Sequence, residues 1–428
     1  MLSALPVGSN APPLTREQRR GFWAAWWGWT LDGMDSFIFA LVLSPALTEL
    51  LPKSHLDGSP AAVAFAGSVL FAVFLAGWGS ALLWGPLADR YGRARTLAAA
   101  VACYAIFTAA AAFAQNVWQL GACRFAAGVG IGGEWALAGT YVAEVWPEAR
   151  RKMGAGYLQT GYYAGFFLAA ALNYTVGATF GWRALFICGG APVVLALYML
   201  SRLKESDRWT SAARAARPPP LSTLLSAPYR RRTLVNAGLV TVSILGLWAA
   251  AVYEPAAIIL LARRAGATAP AAARLASVGT ALLSIGTILG CLAAPPLAER
   301  FGRRRALALY FAGMAVAIVL TFGWAFYRPG GLDLFIALLF FLGLCGGNFA
   351  LYSLWLPEQY PTAVRASAFA LVTSIGRFVG AGANFLVGWG VHAWGSLGVP
   401  VAATALAFVV GLMLVPLSTE TRGETLPP

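Results

Sequence analysis

Twelve apolar runs, each of about 20 residues, follow one another along this 428-residue chain and limit what it can fold into. A run of that length can cross a hydrocarbon layer of about 30 Å as a helix. A buried core helix explains any single run, but twelve in series predict an all-α membrane protein with twelve transmembrane helices. The runs cover residues 22–48, 61–84, 96–114, 117–143, 153–178, 183–201, 233–261, 273–297, 306–327, 332–356, 366–391 and 398–417.

Lys and Arg are spread unequally between the loops, and their distribution predicts the topology. With both termini in the cytoplasm, the cytoplasmic segments hold 23 of these residues and the external segments hold 6. Such an excess is typical of cytoplasmic loops. We therefore predict a multi-pass protein of the cytoplasmic (inner) membrane in contact with the lipid bilayer. The net charge of +14 follows from this topology, so no nucleic-acid partner is expected.

The second half of the chain repeats the first. PLADRYGRAR (86–95) and PLAERFGRRR (296–305) agree at seven of ten positions, and EVWPEARR (144–151) pairs with EQYPTAVR (358–365). Each offset spans six helices, which preserves orientation and predicts two parallel six-helix halves. The expected divisions are a cytoplasmic tail (1–20), a first half (21–201), a cytoplasmic linker (202–232), a second half (233–417) and a cytoplasmic tail (418–428).

Ionisable side chains inside the apolar runs mark the candidate site, because charges in a membrane are costly and usually functional. Asp32 and Asp35 lie three apart in the first run, on overlapping faces of a helix. A rise of about 1.5 Å per residue places Asp35 and Arg124 at the same depth to within one turn. Arg377 lies near the midplane of the eleventh helix, and Glu134 lies in the cytoplasmic half of the fourth.

Each of these residues also has a structural interpretation. Asp32 or Asp35 could bond to loosened helix backbone, Arg377 could brace a helix junction, and Glu134 could join a charge network at the cytoplasmic end. Glu254, near the external end of the seventh helix, is expected to lie close to water or to act at an external gate. Five polar residues could line a cavity by their depth alone: Gln159, Tyr162, Tyr163, Asn348 and Tyr352.

The chain shows no pattern typical of an enzyme. We find no nucleophile–base set, no metal-ligand cluster and no phosphate-binding loop, so neither a metal nor an organic cofactor is expected. Gly128, Gly130 and Gly133 have the GxGxxG spacing of a dinucleotide site, but they lie inside an apolar run without the required strand. Small residues at such positions allow close packing of helices.

Three segments resemble the major facilitator superfamily. GPLADRYGRAR (85–95), RFAAGVGIGGEW (124–135) and LPEQYPTAVRAS (356–367) are similar to its loop between helices 2 and 3, its helix 4, and its loop between helices 10 and 11. LDGMD (31–35) and the segment 132–151 look like those of the sialate and carboxylate:proton symporters, and the DGxD spacing resembles that of the aromatic-acid:proton symporters. The resemblance implies a monomeric secondary transporter working by alternating access, with protons as the coupling ion.

The resemblance also implies a gate at the cytoplasmic ends of the helices. In the family, the acid that matches Asp89 braces one half against the other, and the flanking basic residues join the network. The second copy differs, with Glu299 as its acid and Pro295 in place of Gly85. The implied gating residues are Gly85, Asp89, Arg90, Gly92, Arg93, Glu144, Arg151, Glu299, Arg300, Gly302, Arg303, Glu358 and Arg365.

The leading hypothesis is a proton-coupled symporter that imports a small organic acid; the alternative is a sugar or polyol porter, or an exporter of small metabolites, on the same scaffold. Buried Arg124 and Arg377 favour an anionic substrate, which binds them together with the five polar residues named above. Two close carboxylates in a poorly solvated cavity do not both ionise easily. We expect Asp35 to pair with Arg124 until a substrate carboxylate competes for that arginine and Asp35 takes up a proton. Asp32 and Glu134 are the other candidates for proton coupling.

Overall fold

A computed structural model describes residues 13–215, 219–394 and 396–427, and no strand occurs within them. The first half contains six membrane spans, two of which are broken into shorter helices. Ser80–Leu83 joins α2 to α3 within one span, and α7 and α8 share another. The helices are α1 (Arg16–Lys53), α2 (Pro60–Gly79), α3 (Trp84–Tyr91), α4 (Arg93–Ala111), α5 (Val117–Val145), α6 (Glu148–Leu172), α7 (Ala178–Cys188) and α8 (Pro192–Arg202).

The second half repeats this plan after a linker that contains a short helix, α9 (Asp207–Ala215). The pairs α13–α14 and α16–α17 each form one broken span. The helices are α10 (Ala227–Arg264), α11 (Ala269–Phe301), α12 (Arg303–Ile318), α13 (Leu332–Gly346), α14 (Phe349–Trp355), α15 (Arg365–Trp394), α16 (Gly398–Ala403) and α17 (Ala405–Leu414). We call the side of the molecule that carries α9 the linker face; α1 begins there and α17 ends there.

The spans differ in how apolar they are. Within the described residues, eight helical segments qualify as membrane spans by length and hydropathy, and α1, bent by 60° between Leu43 and Pro45, makes a ninth. The other three spans, α5, α6 and α10, each carry a buried polar residue: Glu134, Gln159 and Glu254. These polar side chains lie in the interior of the bundle.

Helix α1 begins earlier than the sequence predicts. Thr15 caps its first turn by accepting a hydrogen bond from the backbone of Gln18, and the Gln18 side chain bonds back to Thr15. This reciprocal cap starts the helix at Arg16, so the predicted tail 1–20 contributes its last residues to α1. The rest of that predicted tail, residues 1–12, lies outside the described residues.

Glycines allow α1 and α6 to cross at backbone contact. A Cβ atom at Gly33 would overlap the carbonyl oxygen of Tyr162, and one at Gly165 would overlap the backbone of Thr30 and Met34. Small residues are the usual means by which helices pack closely in a membrane. This crossing holds the segment that contains Asp32 and Asp35 against α6.

We expect the Gly165→Leu variant to lose most of its folded protein, because a leucine there meets main-chain atoms that cannot move aside. Overpacking of this kind costs about 1–3 kcal/mol even where neighbours can adjust. Size-exclusion profiles and thermal unfolding in detergent measure the effect. Gly382→Leu is the matched control, because a Cβ at Gly382 meets nothing within 4 Å. Equal melting temperatures for the two variants would contradict the prediction.

Candidate functional site

A central cavity of about 570 Å³ lies between the two halves. Its walls come from α1, α2, α5 and α6 of the first half and from α10, α11, α14 and α15 of the second. Only about 40 Å³ of the cavity is open to the centre of a water molecule, so the side chains that line it nearly close it in this structure. Most of the wall is aromatic: Trp29, Trp78, Trp135, Tyr162, Tyr163, Phe166 and Phe349.

Arg377, on α15, is the one cation among the described residues that line the cavity. Its Nη1 donates a hydrogen bond to the carbonyl of Gly132 at 3.1 Å, and its guanidinium lies 4.7 Å from the ring centroid of Trp78. These contacts insert an arginine of the second half into the wall of the first. A guanidinium held in this way suits a carboxylate, because it offers several donors in one plane.

Trp135 joins the halves on the side of the cavity that faces the linker. Its indole donates a hydrogen bond to Ser353 Oγ at 2.9 Å, and its ring stacks on Trp29 at a centroid distance of 6.2 Å. Ser353 Oγ also lies 3.5 Å from Gln159 Oε1. The cavity is therefore separated from the linker face by contacts between the two halves.

Three carboxyl groups lie together inside the first half, on α1 and α5. Asp32, Asp35 and Glu134 each have 0% of their surface exposed. Arg124 pairs with one of them, because its Nη1 lies 3.5 Å from Asp35 Oδ1. The second guanidinium nitrogen of Arg124 donates to Thr108 Oγ1 at 2.7 Å. The equal depths of Asp35 and Arg124 thus correspond to a direct contact.

Asp32 has no such ion pair within the described residues. One of its oxygens accepts a hydrogen bond from Ser36 Oγ at 3.3 Å, and its charge interacts with those of Glu134 and Arg377. Neither carboxyl oxygen of Glu134 has a hydrogen-bond partner in the described part of the chain. Close, poorly solvated carboxyl groups titrate as a unit, so this cluster is suited to hold a proton.

Arg124 does not line the cavity, although the sequence placed it at the substrate site. Its guanidinium lies between the rings of Phe39 and Phe186, at 5.5 and 4.8 Å from their centroids. Its side chain points into the first half rather than toward the second. Depth along α5 indicated the level of Arg124 in the membrane, but the rotation of the helix decided what it faces.

Asn348 and Tyr352 also lie outside the cavity lining. The hydroxyl of Tyr352 bonds to Ser243 Oγ at 2.8 Å, and the amide of Asn348 donates to the carbonyl of Cys345 at 3.0 Å. The hydroxyl of Tyr352 and the side-chain NH2 of Asn348 are thus engaged within the second half, whereas Asn348 Oδ1 has no hydrogen-bond partner in the described part of the chain. The three other residues chosen by depth do line the cavity: Gln159, Tyr162 and Tyr163.

Glu254 is buried, so the expectation that it lies close to water is wrong. Its residue is 1% exposed, and its carboxylate accepts a hydrogen bond from Thr280 of α11. Its other oxygen has no partner within the described residues. The packing of α10 against α11 covers a position that distance from the membrane edge alone had placed near solvent.

Glu144 connects the halves near the linker face. Its carboxylate lies 3.2 Å from Arg93 of its own half and 2.9 Å from Arg365 of the other half. Ser206 of the linker also donates to it, at 2.5 Å. All three charged side chains have 0% exposure, so the charges compensate one another within the protein.

Glu358 repeats this arrangement in the second half. It lies 2.8 Å from Arg303 of its own half and 3.1 Å from Arg151 of the first half. Thr421 of the C-terminal segment donates to it at 2.5 Å. The second sequence repeat therefore supplies two exchanged ion pairs, in which each glutamate holds one arginine from each half.

The two copies of the first sequence repeat each supply an acid that braces one half against the other, and the two contacts are unequal. Asp89 is buried, lies 2.9 Å from Arg93, and accepts hydrogen bonds from the backbone and hydroxyl of Ser367 in the other half. Glu299 instead pairs with Lys152 of the first half at 2.8 Å, with 42% of its side chain exposed. Because exposed ion pairs contribute little, Asp89 forms the stronger brace.

Each copy of the first sequence repeat contacts the other half at a glycine. In the first copy this glycine is Gly85 of the repeat itself, and in the second copy it is Gly156 of the facing helix. A Cβ at Gly85 would overlap Ser367, whereas a Cβ at Gly156 on α6 would crowd Pro295 of α11. Pro295 thus stands where the first repeat has a glycine, and a glycine on the facing helix makes room for it. The proline in the second copy of the repeat therefore does not prevent contact between the two halves.

Arg90 and Arg300 do not join this network, contrary to the expectation. Both are exposed and lie over the neighbouring rings of Tyr91 and Phe301, at 5.2 and 5.3 Å from the centroids. Arg93 and Arg303, three residues further on, turn inward instead. Gly92 and Gly302 make this possible with φ of 111° and 89°, a conformation that glycine adopts without strain.

Two glutamates of the same region are not among the residues predicted from the sequence. Glu205 accepts hydrogen bonds from the backbone of Ala94 and Arg95, at 3.0 and 3.1 Å. Glu420 does the same for Arg303 and Arg304, at 2.9 and 3.1 Å. Each caps the helix that follows a sequence repeat. A short match in the sequence points to both glutamates, because ES at 205–206 resembles ET at 420–421.

Two family models match the chain. The model described as Major Facilitator Superfamily matches residues 25–268, and the one described as Sugar (and other) transporter matches residues 231–425. The first alone spans more than half of the chain, so the resemblance inferred from the loop motifs is confirmed. The families consist of membrane transporters, which agrees with the expectation that the chain is not an enzyme.

Two of the curated relatives match almost the whole chain, and a third matches nearly half of it. The "Probable 4-methylmuconolactone transporter" of Cupriavidus pinatubonensis is 31% identical and covers 95% of this chain and 92% of its own length. The "4-hydroxybenzoate transporter PcaK" of Pseudomonas aeruginosa is 30% identical over 94% and 95%. The "Sialic acid transporter NanX" of Escherichia coli is 31% identical over 45% of each chain.

Solved structures share the fold. The proton:xylose symporter XylE superposes with a TM-score of 0.79 at 20% identity, over 96% of this chain and 98% of that one. The human organic anion transporter MFSD10 gives 0.68 at 17% identity, over 95% and 100%. The predicted all-α membrane fold of twelve transmembrane helices in two six-helix halves is thereby confirmed.

We expect Asp89→Asn to open the linker face, because it weakens a charge-assisted contact that exists only while the two halves are closed there. Spin labels at Arg95 and Arg305, in a variant without its cysteines, measure the distance between the halves. In Asp89→Asn, a larger fraction of the molecules shows the longer distance between the two labels than in the parent protein. Glu299→Gln is the matched change in the other repeat and has a smaller effect, since Glu299 is half exposed. Identical distance distributions for Asp89→Asn and the parent protein would refute the prediction.

Proposed function

The chain belongs to the major facilitator superfamily, and we propose that this transporter is a proton-coupled symporter that imports a small aromatic or cyclic carboxylate across the cytoplasmic membrane. One observation carries the proposal: Arg377 is the single cation in a cavity wall that is otherwise mostly aromatic, within the described residues. Both termini and the linker face lie in the cytoplasm in this proposal, as the distribution of basic residues favours.

The substrate is held by two kinds of contact. Its carboxylate binds the Arg377 guanidinium, and its ring packs against Trp29, Trp135 and Tyr162. Aromatic surfaces favour flat or cyclic molecules through offset and edge-to-face packing. Relatives named for transport of 4-methylmuconolactone and of 4-hydroxybenzoate support this class of substrate. A sugar would leave the arginine without an anionic partner.

Proton coupling follows from competition for Arg377. Burial of Asp32 and the neighbouring Glu134 favour the protonated form of Asp32, and the positive charge of Arg377 opposes them in the empty cavity. A substrate carboxylate takes over that charge, and Asp32, beside Glu134 and Asp35, then binds a proton. Bound substrate thus raises the affinity for the proton, and a bound proton raises the affinity for the substrate by the same factor.

Asp35 and Arg124 have a different part in this mechanism. They form a buried pair that does not reach the cavity, so we assign them to fixing the position of α1 against α5. Removal of one partner from a buried ion pair costs about 3–5 kcal/mol, because the other charge stays buried without compensation. Glu134 shares the proton of Asp32 rather than binding substrate.

Alternating access uses the contacts near the linker face. Here the exchanged pairs of Glu144 and Glu358 close the cavity toward the linker face. Release on the cytoplasmic side requires these pairs and the Asp89 brace to separate as the halves rock. A neutralised Asp32 lowers the cost of that movement, since less charge crosses the low-dielectric interior.

We expect proteoliposomes containing the protein to accumulate labelled 4-hydroxybenzoate when the outside is made acidic. Asp32→Asn abolishes this accumulation but keeps exchange of substrate at equal pH, because a neutral side chain at that position still allows the loaded protein to change state. Asp57→Asn, in an exposed loop outside the spans, is the control and leaves both unchanged. Accumulation by Asp32→Asn driven by pH would refute the mechanism, and accumulation of xylose instead of the acid would refute the substrate class.

We expect Arg377→Gln to bind 4-hydroxybenzoate ten- to hundredfold more weakly, because a hydrogen bond to a charged group contributes about 1.5–3 kcal/mol. Binding of the uncharged 4-hydroxybenzamide changes much less, so the variant loses the preference for the acid. Tryptophan fluorescence titration measures both affinities. Arg328→Gln, an exposed arginine over Trp324, is the control. An unchanged ratio of the two affinities in Arg377→Gln would contradict the assignment.

A further inference from the structure

A second groove lies outside the central cavity, between α1 and α8 near the linker face, with about 380 Å³ open to the centre of a water molecule. We call it the α1–α8 groove. Three arginines lie at its outer end: Arg16, Arg19 and Arg20. Its walls include the aromatic rings of Trp23, Trp27 and Tyr198. Nothing in the transport mechanism uses these residues.

The residues on α1 form one stripe. Arg16, Arg20, Trp23 and Trp27 recur at intervals of four, three and four, which keeps them on one side of a helix. The rise of about 1.5 Å per residue places Trp27 about 16 Å deeper than Arg16. The stripe passes from charged to aromatic over that distance. The boundary between lipid headgroups and acyl chains has the same order of polarity.

The groove opens toward lipid. On α8, Val194, Leu197 and Leu200 are 69%, 63% and 57% exposed, which in a membrane protein marks a surface that faces acyl chains. Tyr198, on the same helix, is 42% exposed. A molecule in this groove therefore contacts the bilayer along one side.

The positive charge in the groove is not compensated by the protein. Arg16, Arg19 and Arg20 are exposed and form no ion pair within the described residues. The one acid in the same turn, Glu17, pairs instead with Lys204 at 2.6 Å. Residues 1–12 contain neither Asp nor Glu, so the start of the chain offers no counter-charge either. The described residues therefore leave this end of the groove open to an anion from outside the chain.

The aromatic wall is fixed in place. Trp26 stands between Trp23 and Trp27, with ring centroids 5.4 and 5.2 Å away in edge-to-face geometry. Its own indole donates a hydrogen bond to Thr160 Oγ1 of α6 at 3.1 Å. The two exposed tryptophans are therefore held by a third that is anchored to the bundle, which lowers the entropy cost of binding against them.

We propose that the α1–α8 groove binds one anionic phospholipid, with its phosphate against the three arginines and an acyl chain along Trp23, Trp27 and Leu195. Guanidinium groups suit phosphate oxygens, and the apolar lower wall suits an acyl chain but no free anion. The bound lipid fastens the beginning of α1 to α8. Further along, α1 carries Asp32 into the site.

The test uses the full-length protein in phosphatidylcholine nanodiscs with small amounts of dibrominated phosphatidylglycerol. We expect saturable quenching of tryptophan fluorescence, at least tenfold stronger in affinity than with dibrominated phosphatidylcholine, and one retained phosphatidylglycerol by native mass spectrometry. The variant R16Q/R19Q/R20Q loses both signals. The variant R230Q/R231Q/R305Q removes the same charge from exposed positions of the second half and keeps both. The variant R16K/R19K/R20K keeps the charge and retains most of the binding.

Several results would overturn the proposal. Equal retention of phosphatidylglycerol by R16Q/R19Q/R20Q would show that the arginines bind no lipid, and equal affinity for phosphatidylcholine would show an unselective surface. Displacement of the lipid by millimolar glycerol phosphate would indicate a site for soluble anions. Binding that appears only after residues 1–12 are deleted would show that the chain itself covers the groove. Thermal unfolding in phosphatidylcholine alone verifies that all variants are folded.

Discussion

Two glutamates, each holding one arginine from either half, determine how the two halves of this transporter meet. Glu144 binds Arg93 and Arg365, and Glu358 binds Arg303 and Arg151. Each carboxylate is fully buried and would be unstable without its cations. Since one arginine of each set comes from the opposite half, separation of the halves exposes charges to water and rejoining them buries the charges again. The arrangement can therefore have a closed and an open state without a large difference in free energy.

The interior divides its polar chemistry between the halves. The first half contains the acids Asp32, Asp35 and Glu134, together with Arg124, which neutralises one of them. The second half contributes a single arginine, Arg377, to the cavity wall. A charge that belongs to one half but interacts with an acid of the other links the contents of the cavity to the relative position of the halves. That link is what a coupled transporter requires, because binding must bias the equilibrium between states.

Helix α1 connects three regions of the molecule. Its first turns line the lipid-facing groove, its middle carries Asp32 and Asp35 against α6, and its far end pairs Glu49 with Arg183 at 2.7 Å. The backbone contact at Gly33 and Gly165 makes its middle rigid.

The sequence by itself determined the number of spans, their order, the two-fold repeat and the shared level of Asp35 and Arg124. These depend on length, hydropathy and identity at fixed offsets, which need no tertiary contact. It also indicated Glu144, Arg151, Glu358 and Arg365, because repeated charges at helix ends meet wherever parallel halves meet. Only the tertiary structure decided which way each helix turns. That rotation, set by close packing at glycines and by aromatic contacts, moved Arg124, Asn348 and Tyr352 away from the cavity and covered Glu254. It also brought Arg377 of the second half against Gly132 and Trp78 of the first.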